Sequence, residues 1–150
     1  MSSVTDLIHN RVLLAAVLSW FLAQGLKMVL DLINGKFTVN RLSGGGGMPS
    51  AHSATVCGLT CATAVTSGGR SPEFAIALFF AIIVIYDAMG VRYETGQQAK
   101  ILNRLRERDA KEGKEEIQEK PLEEKMGHTL PEIAAGCLIG IVVGILIGRL

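Results

Sequence analysis

The sequence predicts an all-α integral membrane helical bundle of about four transmembrane helices, and three observations predict it. Hydrophobic residues make up 49% of the 150-residue chain, with a mean hydropathy of +0.35. They are bunched into four runs, Val12 to Ile33, Ala51 to Ser67, Phe74 to Val91 and Pro131 to Leu150, each close to the roughly 20 residues that cross a bilayer. The last run also lacks the polar stripe that a helix of a soluble bundle turns to water: Ile139-Gly140-Ile141-Val142-Val143-Gly144-Ile145-Leu146-Ile147 has none. Residues 1–150 therefore read as a single multi-pass domain of the cell membrane.

Residues 1–10 form a polar lead-in. The first run has no small-residue cleavage site and reads as an anchor that stays. It carries Lys27 and Asp31 near its end, where charge is costly and marks either a cavity or an i, i+4 pairing. A loop over 34–50 closes on Gly44-Gly45-Gly46-Gly47-Met48-Pro49-Ser50. The second run is rich in Ala, Ser and Thr, as suits a helix packed closely against neighbours. Ser67-Gly68-Gly69-Arg70-Ser71-Pro72 reads as a tight turn into the third run.

Residues 94–127 differ in kind and read as a charged loop insertion. Both signs mix there, and Ile101, Leu102 and Leu105 at helical spacing predict a short amphipathic helix from about Gly96 to Lys111. The remainder, to Met126, reads as a solvated loop. The last run carries Gly136, Gly140, Gly144 and Gly148, a smooth groove for a close backbone approach. It suits packing within the chain or a homodimer seam, and the spacing leaves both open.

A net charge of +1 with no basic cluster gives no sign of a nucleic-acid partner. Cys57, Cys61 and Cys137 all lie in apolar runs and read as small hydrophobes rather than metal ligands; no metal or other cofactor is implied.

With four spans, the loops 34–50 and 94–130 fall on one side of the membrane. Lysines and arginines concentrate there, which places that side at the cytoplasmic face. Two polar motifs meet on it. In Gly44 to Ser53, a glycine run opens into a helix start, with Pro49 suited to the first turn. Free N–H groups, the positive end of the helix dipole and the hydroxyls of Ser50 and Ser53 make an anion site, and His52 could donate a proton to a departing oxygen. The bland alternative is a glycine-rich loop with a surface histidine. In Gly127-His128-Thr129-Leu130-Pro131-Glu132, Thr129 and Glu132 fit a capping box. Glu132 could also hold and polarise His128 as a nucleophile; one carboxylate can serve both ends. Two histidines, cations at Lys27 and Arg92, and a glycine-rich helix start are the parts that phosphoryl transfer needs. Asp87 bridges helices or orients a cation.

Pro49-Ser50-Ala51-His52, Gly127-His128 with Glu132, Gly136 and Gly140, and Asp87-Ala88-Met89-Gly90-Val91-Arg92 together resemble the divergent bacterial branch of the type 2 phosphatidic acid phosphatase and vanadium haloperoxidase superfamily. The resemblance covers nearly the full chain. It implies the core of the type 2 phosphatidic acid phosphatase fold and metal-independent hydrolysis of a lipid phosphate monoester or diphosphate through a phosphohistidine. It further implies His128 as nucleophile, Glu132 as its orienting carboxylate and His52 as general acid. Lys27, Arg41, Gly46, Gly47 and Ser50 would bind phosphate, joined by Arg92 if residues 93–126 are an insertion. The chain departs from the family pattern where Asn34 and Leu122 stand in place of arginines, Glu132 in place of Asp and Ala51 in place of Gly; typical members also have six spans. These departures leave an alternative: a catalytically degenerate protein that binds or transports anionic lipids. A third reading is a helical assembly protein built on the glycine groove.

Overall fold

The computed structural model describes residues 4–35, 47–113, 120–124 and 126–150. Its elements are α1 (Val4–Ile8), α2 (Arg11–Ile33), α3 (Ala51–Ser67), α4 (Pro72–Met89), α5 (Val91–Lys111) and α6 (Leu130–Arg149), and among the described residues there is no strand. The chain is an all-helical membrane protein. Three helical stretches are long and apolar enough to cross a bilayer: α2, the stretch that contains α4, and α6. The fourth helix of the bundle, α3, has 17 residues. It packs against α2, α4 and α6 at once, so its Ser, Thr and Ala faces meet protein rather than lipid.

Helix ends follow local chemistry. The Asn10 side chain accepts from Val12 N and Leu13 N to start α2, and Ser71 Oγ accepts from Phe74 N at 3.1 Å to start α4 with Pro72 in its first turn. The α3 cap is Ser50, with the helix beginning at Ala51. Pro49 therefore precedes the cap instead of occupying the first turn, because the Ser50 hydroxyl takes the capping role. Thr55, Thr60, Thr63 and Thr66 each return their hydroxyl to the carbonyl four residues earlier, and Thr60 Oγ1 also reaches Ala77 O on α4 at 3.1 Å. Hydroxyls placed away from water are satisfied in this way.

Two rows of small residues bring the backbones together. On α6, Gly136, Gly140, Gly144 and Gly148 are all buried and face α3 of the same chain. A Cβ on Gly136 would strike Ser50 O, one on Gly140 would strike Ala54 O, and one on Gly144 would lie 2.6 Å from Gly58 O. The two helices thus run parallel in four-residue steps, and the glycine groove is used within the chain. On α2, the buried row Ala15, Ser19, Ala23 and Lys27 recurs every fourth residue. Gly58 of α3 has no room for a side chain beside Ser19. The row that packs α2 in the bundle also ends by delivering Lys27.

The outer surface is apolar, as lipid requires: Ile76, Phe79 and Ile83 on α4 are 71%, 66% and 65% exposed.

The charged segment begins its helix earlier than expected and is tied back onto it. The α5 helix starts at Val91, directly after Gly90, and its inward face is Gly96, Ala99 and Asn103 rather than Ile101, Leu102 and Leu105, which are exposed. Small size decides this, since the opposing chain lies too close for larger side chains. Lys120, Pro121, Glu123 and Glu124 are exposed, as in a solvated loop, but the segment is tied to α5. Leu122 exchanges two hydrogen bonds with Asn103, and a Cβ on Gly96 would lie 2.6 Å from Glu124 O. This strap runs back along α5 and leads into His128.

Candidate functional site

The site lies at the end of the bundle where α2 finishes, α3 and α6 begin, and α4 passes into α5. Each start is set by sequence. Thr129 and Glu132 form the capping box of α6, with Glu132 Oε2 accepting from Thr129 N at 3.0 Å. The same oxygen lies 3.3 Å from His128 Nδ1. Cap and histidine partner are therefore one carboxylate, as the i, i+3 and i, i+4 spacings allow. The Glu132 backbone carbonyl accepts from Ser50 N at 2.9 Å, while His128 N donates to Ala88 O at 3.0 Å. Gly127, at φ +77°, makes the turn into His128, and a Cβ there would lie 2.5 Å from Tyr93 N. Glycine is needed for both reasons.

These constraints bring the two histidines together: the rings of His52 and His128 meet edge to face with centroids 5.9 Å apart. His128 is 6% exposed. Burial, chiefly, and the positive charges of Lys27 and Arg92 push its pKa below the ordinary 6.5, against the opposing pull of Glu132. Arg92, Asp87 and Lys27 also lie within electrostatic reach of His52. Lys27 is 6% exposed, and its chain passes Gly47: a Cβ on Gly47, at φ +98°, would lie 3.0 Å from Lys27 Cε and 3.8 Å from Nζ. Arg92 Nε is held by Asp87 Oδ2 at 2.9 Å, both half-exposed. Asp87 thus orients a cation.

Ser50 is fully buried. Its Oγ accepts from Ser53 N at 3.3 Å and from Ser53 Oγ at 3.0 Å, which leaves the Ser50 O–H as the donor of that pair. Of the residues read from sequence as a site, the structure gathers Lys27, Gly47, Ser50, His52, Arg92, His128 and Glu132 at this end of the bundle. Arg41 and Gly46 lie outside the described residues. Among the described residues no group of three or more His, Cys, Asp or Glu is placed to hold a metal ion.

Two cavities open beside His128. One, of about 270 Å³, is lined by Met89, Tyr93, His128, Thr129 and Leu130. The other, of about 330 Å³, is lined by α5 residues Tyr93, Gln97 and Lys100 together with Glu124, Met126, Gly127, Thr129 and Glu132. Sequence reasoning missed Tyr93, which borders both, and Asn103, which ties the strap. The available signal was Gly96 and Gly127, two of the three glycines in the charged segment, each marking a close approach.

A family model described as "Divergent PAP2 family" matches residues 8–143. A Bacillus subtilis (strain 168) protein titled "Uncharacterized membrane protein YuiD" is 32% identical over 148 residues, covering 92% of this chain and 94% of that protein. No solved structure matches.

Proposed function

This chain belongs to the divergent PAP2 family of membrane proteins, and on that premise we propose that it is a phosphatase that hydrolyses a lipid phosphate monoester or diphosphate through a phosphohistidine. The observation that carries the reading is the approach of two histidine rings to 5.9 Å, with a carboxylate on the inner nitrogen of one of them. With the His128 Nδ1–H directed at Glu132, the lone pair on Nε2 is free to attack phosphorus. The N–P bond forms as the P–O bond to the lipid alcohol breaks, and the protonated His52 gives its proton to the departing oxygen. Water then attacks phosphorus, His52 takes the water proton, and the P–N bond breaks to release phosphate and restore His128.

Lys27, Arg92, Gly47 and the Ser50 hydroxyl stabilise the charge that spreads over the phosphoryl oxygens in both steps. Arg41 and Gly46 belong to the same loop in sequence and share that role in this reading. Membrane burial selects a substrate whose tail stays in lipid while its phosphate reaches the bundle end: a polyprenyl phosphate or diphosphate, or a phosphatidate. In this reading that end faces the cytoplasm, which the lysines and arginines of its loops favour.

The test is phosphate release from a panel of such lipids by purified protein in detergent with a chelator present, alongside His128→Ala and His52→Ala. Release that resists the chelator and is lost in both variants supports the reading. Absence of release from every lipid, with inorganic phosphate or vanadate still bound, replaces it with a role in binding or moving anionic lipids.

A further inference from the structure

The charged segment between α4 and α6 does more than connect them. The strap runs antiparallel to α5 and meets it at successive stations on one helix face. Asn103 engages Leu122 and Glu124, Gly96 lies against Glu124 and Met126, and Tyr93 lies against Gly127. One residue later His128 is pinned by its own N–H to Ala88 O. Gly96 and Tyr93 contribute close approach. Among the described residues, the hydrogen bonds between the strap (120–124, 126 and 127) and α5 come from Asn103.

The Asn103 amide is well matched to that task. Its Oδ1 accepts from Leu122 N at 2.9 Å, while its Nδ2 donates to Leu122 O at 2.9 Å and to Glu124 Oε1 at 2.8 Å. Asn103 thus pairs with Leu122 as a backbone neighbour in a sheet would, supplying an acceptor and a donor from one planar group. Asn103 is 8% exposed, and losing its amide would leave the Leu122 backbone groups without these partners. Beneath the strap lies the 330 Å³ cavity whose lining includes Glu132. A strap that lifts there would widen that cavity and further expose the carboxylate that faces His128; the Glu132 side chain is already 17% exposed.

We propose that Asn103 is a positioning residue for His128: it fixes the far end of the strap about ten helical residues, or roughly 15 Å, from the station at Tyr93, and so sets where the imidazole stands over the phosphate. This inference rests on the phosphatase reading, in which His128 is the attacking group. Asn103 touches neither substrate nor the reacting atoms. Its effect belongs in the rate of the chemical step and in the environment of His128, while phosphate affinity belongs to Lys27, Gly47 and Ser50.

The experiment uses the full chain in lipid nanodiscs, as wild type, Asn103→Ala, Asn103→Asp and Gln98→Ala, an exposed α5 position. Phosphate release is measured together with the titration of ¹³C-labelled histidine rings. Asn103→Ala is expected to lower kcat by roughly 10- to 100-fold with KM within about threefold, since a displacement of about 1 Å is enough for such a loss. Its His128 signal should titrate at higher pH, toward the ordinary value, because a lifted strap relieves burial. Asn103→Asp keeps the acceptor but loses both donations and sets a charge beside Glu124, so it should fall in the same direction, and its near-identical shape carries the test if Asn103→Ala does not fold. Gln98→Ala should behave as wild type.

A kcat for Asn103→Ala within about twofold of wild type overturns the proposal, as does a fall in kcat with the His128 titration unmoved. If wild type releases no phosphate, the phosphatase reading fails separately. The His128 titration then decides the positioning claim alone: a shift in Asn103→Ala sustains it and a fixed signal refutes it.

Discussion

Ser50 donates its backbone N–H to the Glu132 carbonyl at 2.9 Å, so the first turn of α3 is bonded directly to the first turn of α6. The Glu132 side chain meanwhile accepts from Thr129 N and faces His128. One residue therefore joins both polar motifs, its main chain setting the spacing of the helices and its side chain orienting the ring. The separation of His52 from His128 is in consequence a backbone property. Substituting the Glu132 side chain should disturb the ring of His128 without moving α3 away from α6.

Glu132 has two duties that substitution can separate. A capping box accepts Gln as well as Glu, so Glu132→Gln should keep the helix start and its thermal midpoint. It removes the negative charge that stabilises a positively charged His128, and phosphate release should fall by about 10- to 100-fold, within the range that electrostatic groups contribute. Glu132→Ala removes the cap as well and should cost about 1 kcal/mol of stability on top of the lost rate. Melting curves and phosphate release on the same preparations check both.

The pH dependence follows from His128. Attack requires the neutral ring, and burial with the positive charges of Lys27 and Arg92 puts its pKa below 6.5. The same step needs His52 protonated, so the profile should be bell-shaped, falling on the acid side as pH drops through that lowered value and on the alkaline side as His52 gives up its proton. Glu132 is the group that pulls the pKa upward, so in Glu132→Gln the acid limb should move to still lower pH. A kcat/KM profile from pH 4 to 8 reads both limbs; an acid limb above 6.5 would remove His128 from the role of neutral nucleophile.

Lys27 and Gly47 should fail together. Lys27→Met keeps an apolar stem in the α2 row but removes the ammonium, and inorganic phosphate should bind about 10-fold or more weakly. Gly47→Ala leaves the charge in place but needs a left-handed φ of +98° and sets a methyl 3.0 Å from Lys27 Cε. It should weaken phosphate in the same direction, with a stability cost of about 1 kcal/mol or more. Isothermal titration with phosphate, paired with thermal melts, distinguishes the two effects.

Much of this architecture was legible in sequence because lipid imposes strong one-dimensional rules. Runs of apolar residues located the helices, the glycine row on α6 announced a close backbone approach, and Thr129 with Glu132 marked a helix start within a residue. Topology alone placed His52 and His128 at one end of the bundle. The inward face of α5 was not legible, for a physical reason: it is set by size, at Gly96 and Ala99, and by one amide, at Asn103, while Ile101, Leu102 and Leu105, which announced the helix, are exposed. Side-chain pairing across 19 residues, as between Asn103 and Leu122, leaves no periodic trace. The partner of the glycine row was likewise open until α3 was seen to occupy it.

Two glycines on the spanning helices should respond oppositely to the same substitution. Gly140 sits where a Cβ would strike Ala54 O and lie 2.8 Å from Gly58 N. Those are backbone atoms of a helix fixed on three sides, so Gly140→Ala must push α6 away from α3, at a cost of about 1–3 kcal/mol. Gly25, on α2, has nothing within 4 Å of its would-be Cβ. Gly25→Ala meets no obstacle and removes a flexible residue from a helix interior, which should stabilise by about 0.5–1 kcal/mol. Because α3 and α6 also carry His52 and Glu132, Gly140→Ala should lower phosphate release along with stability, whereas Gly25→Ala should leave it unchanged. Thermal midpoints that move the same way for both variants would show that α6 does not approach α3 through this glycine row.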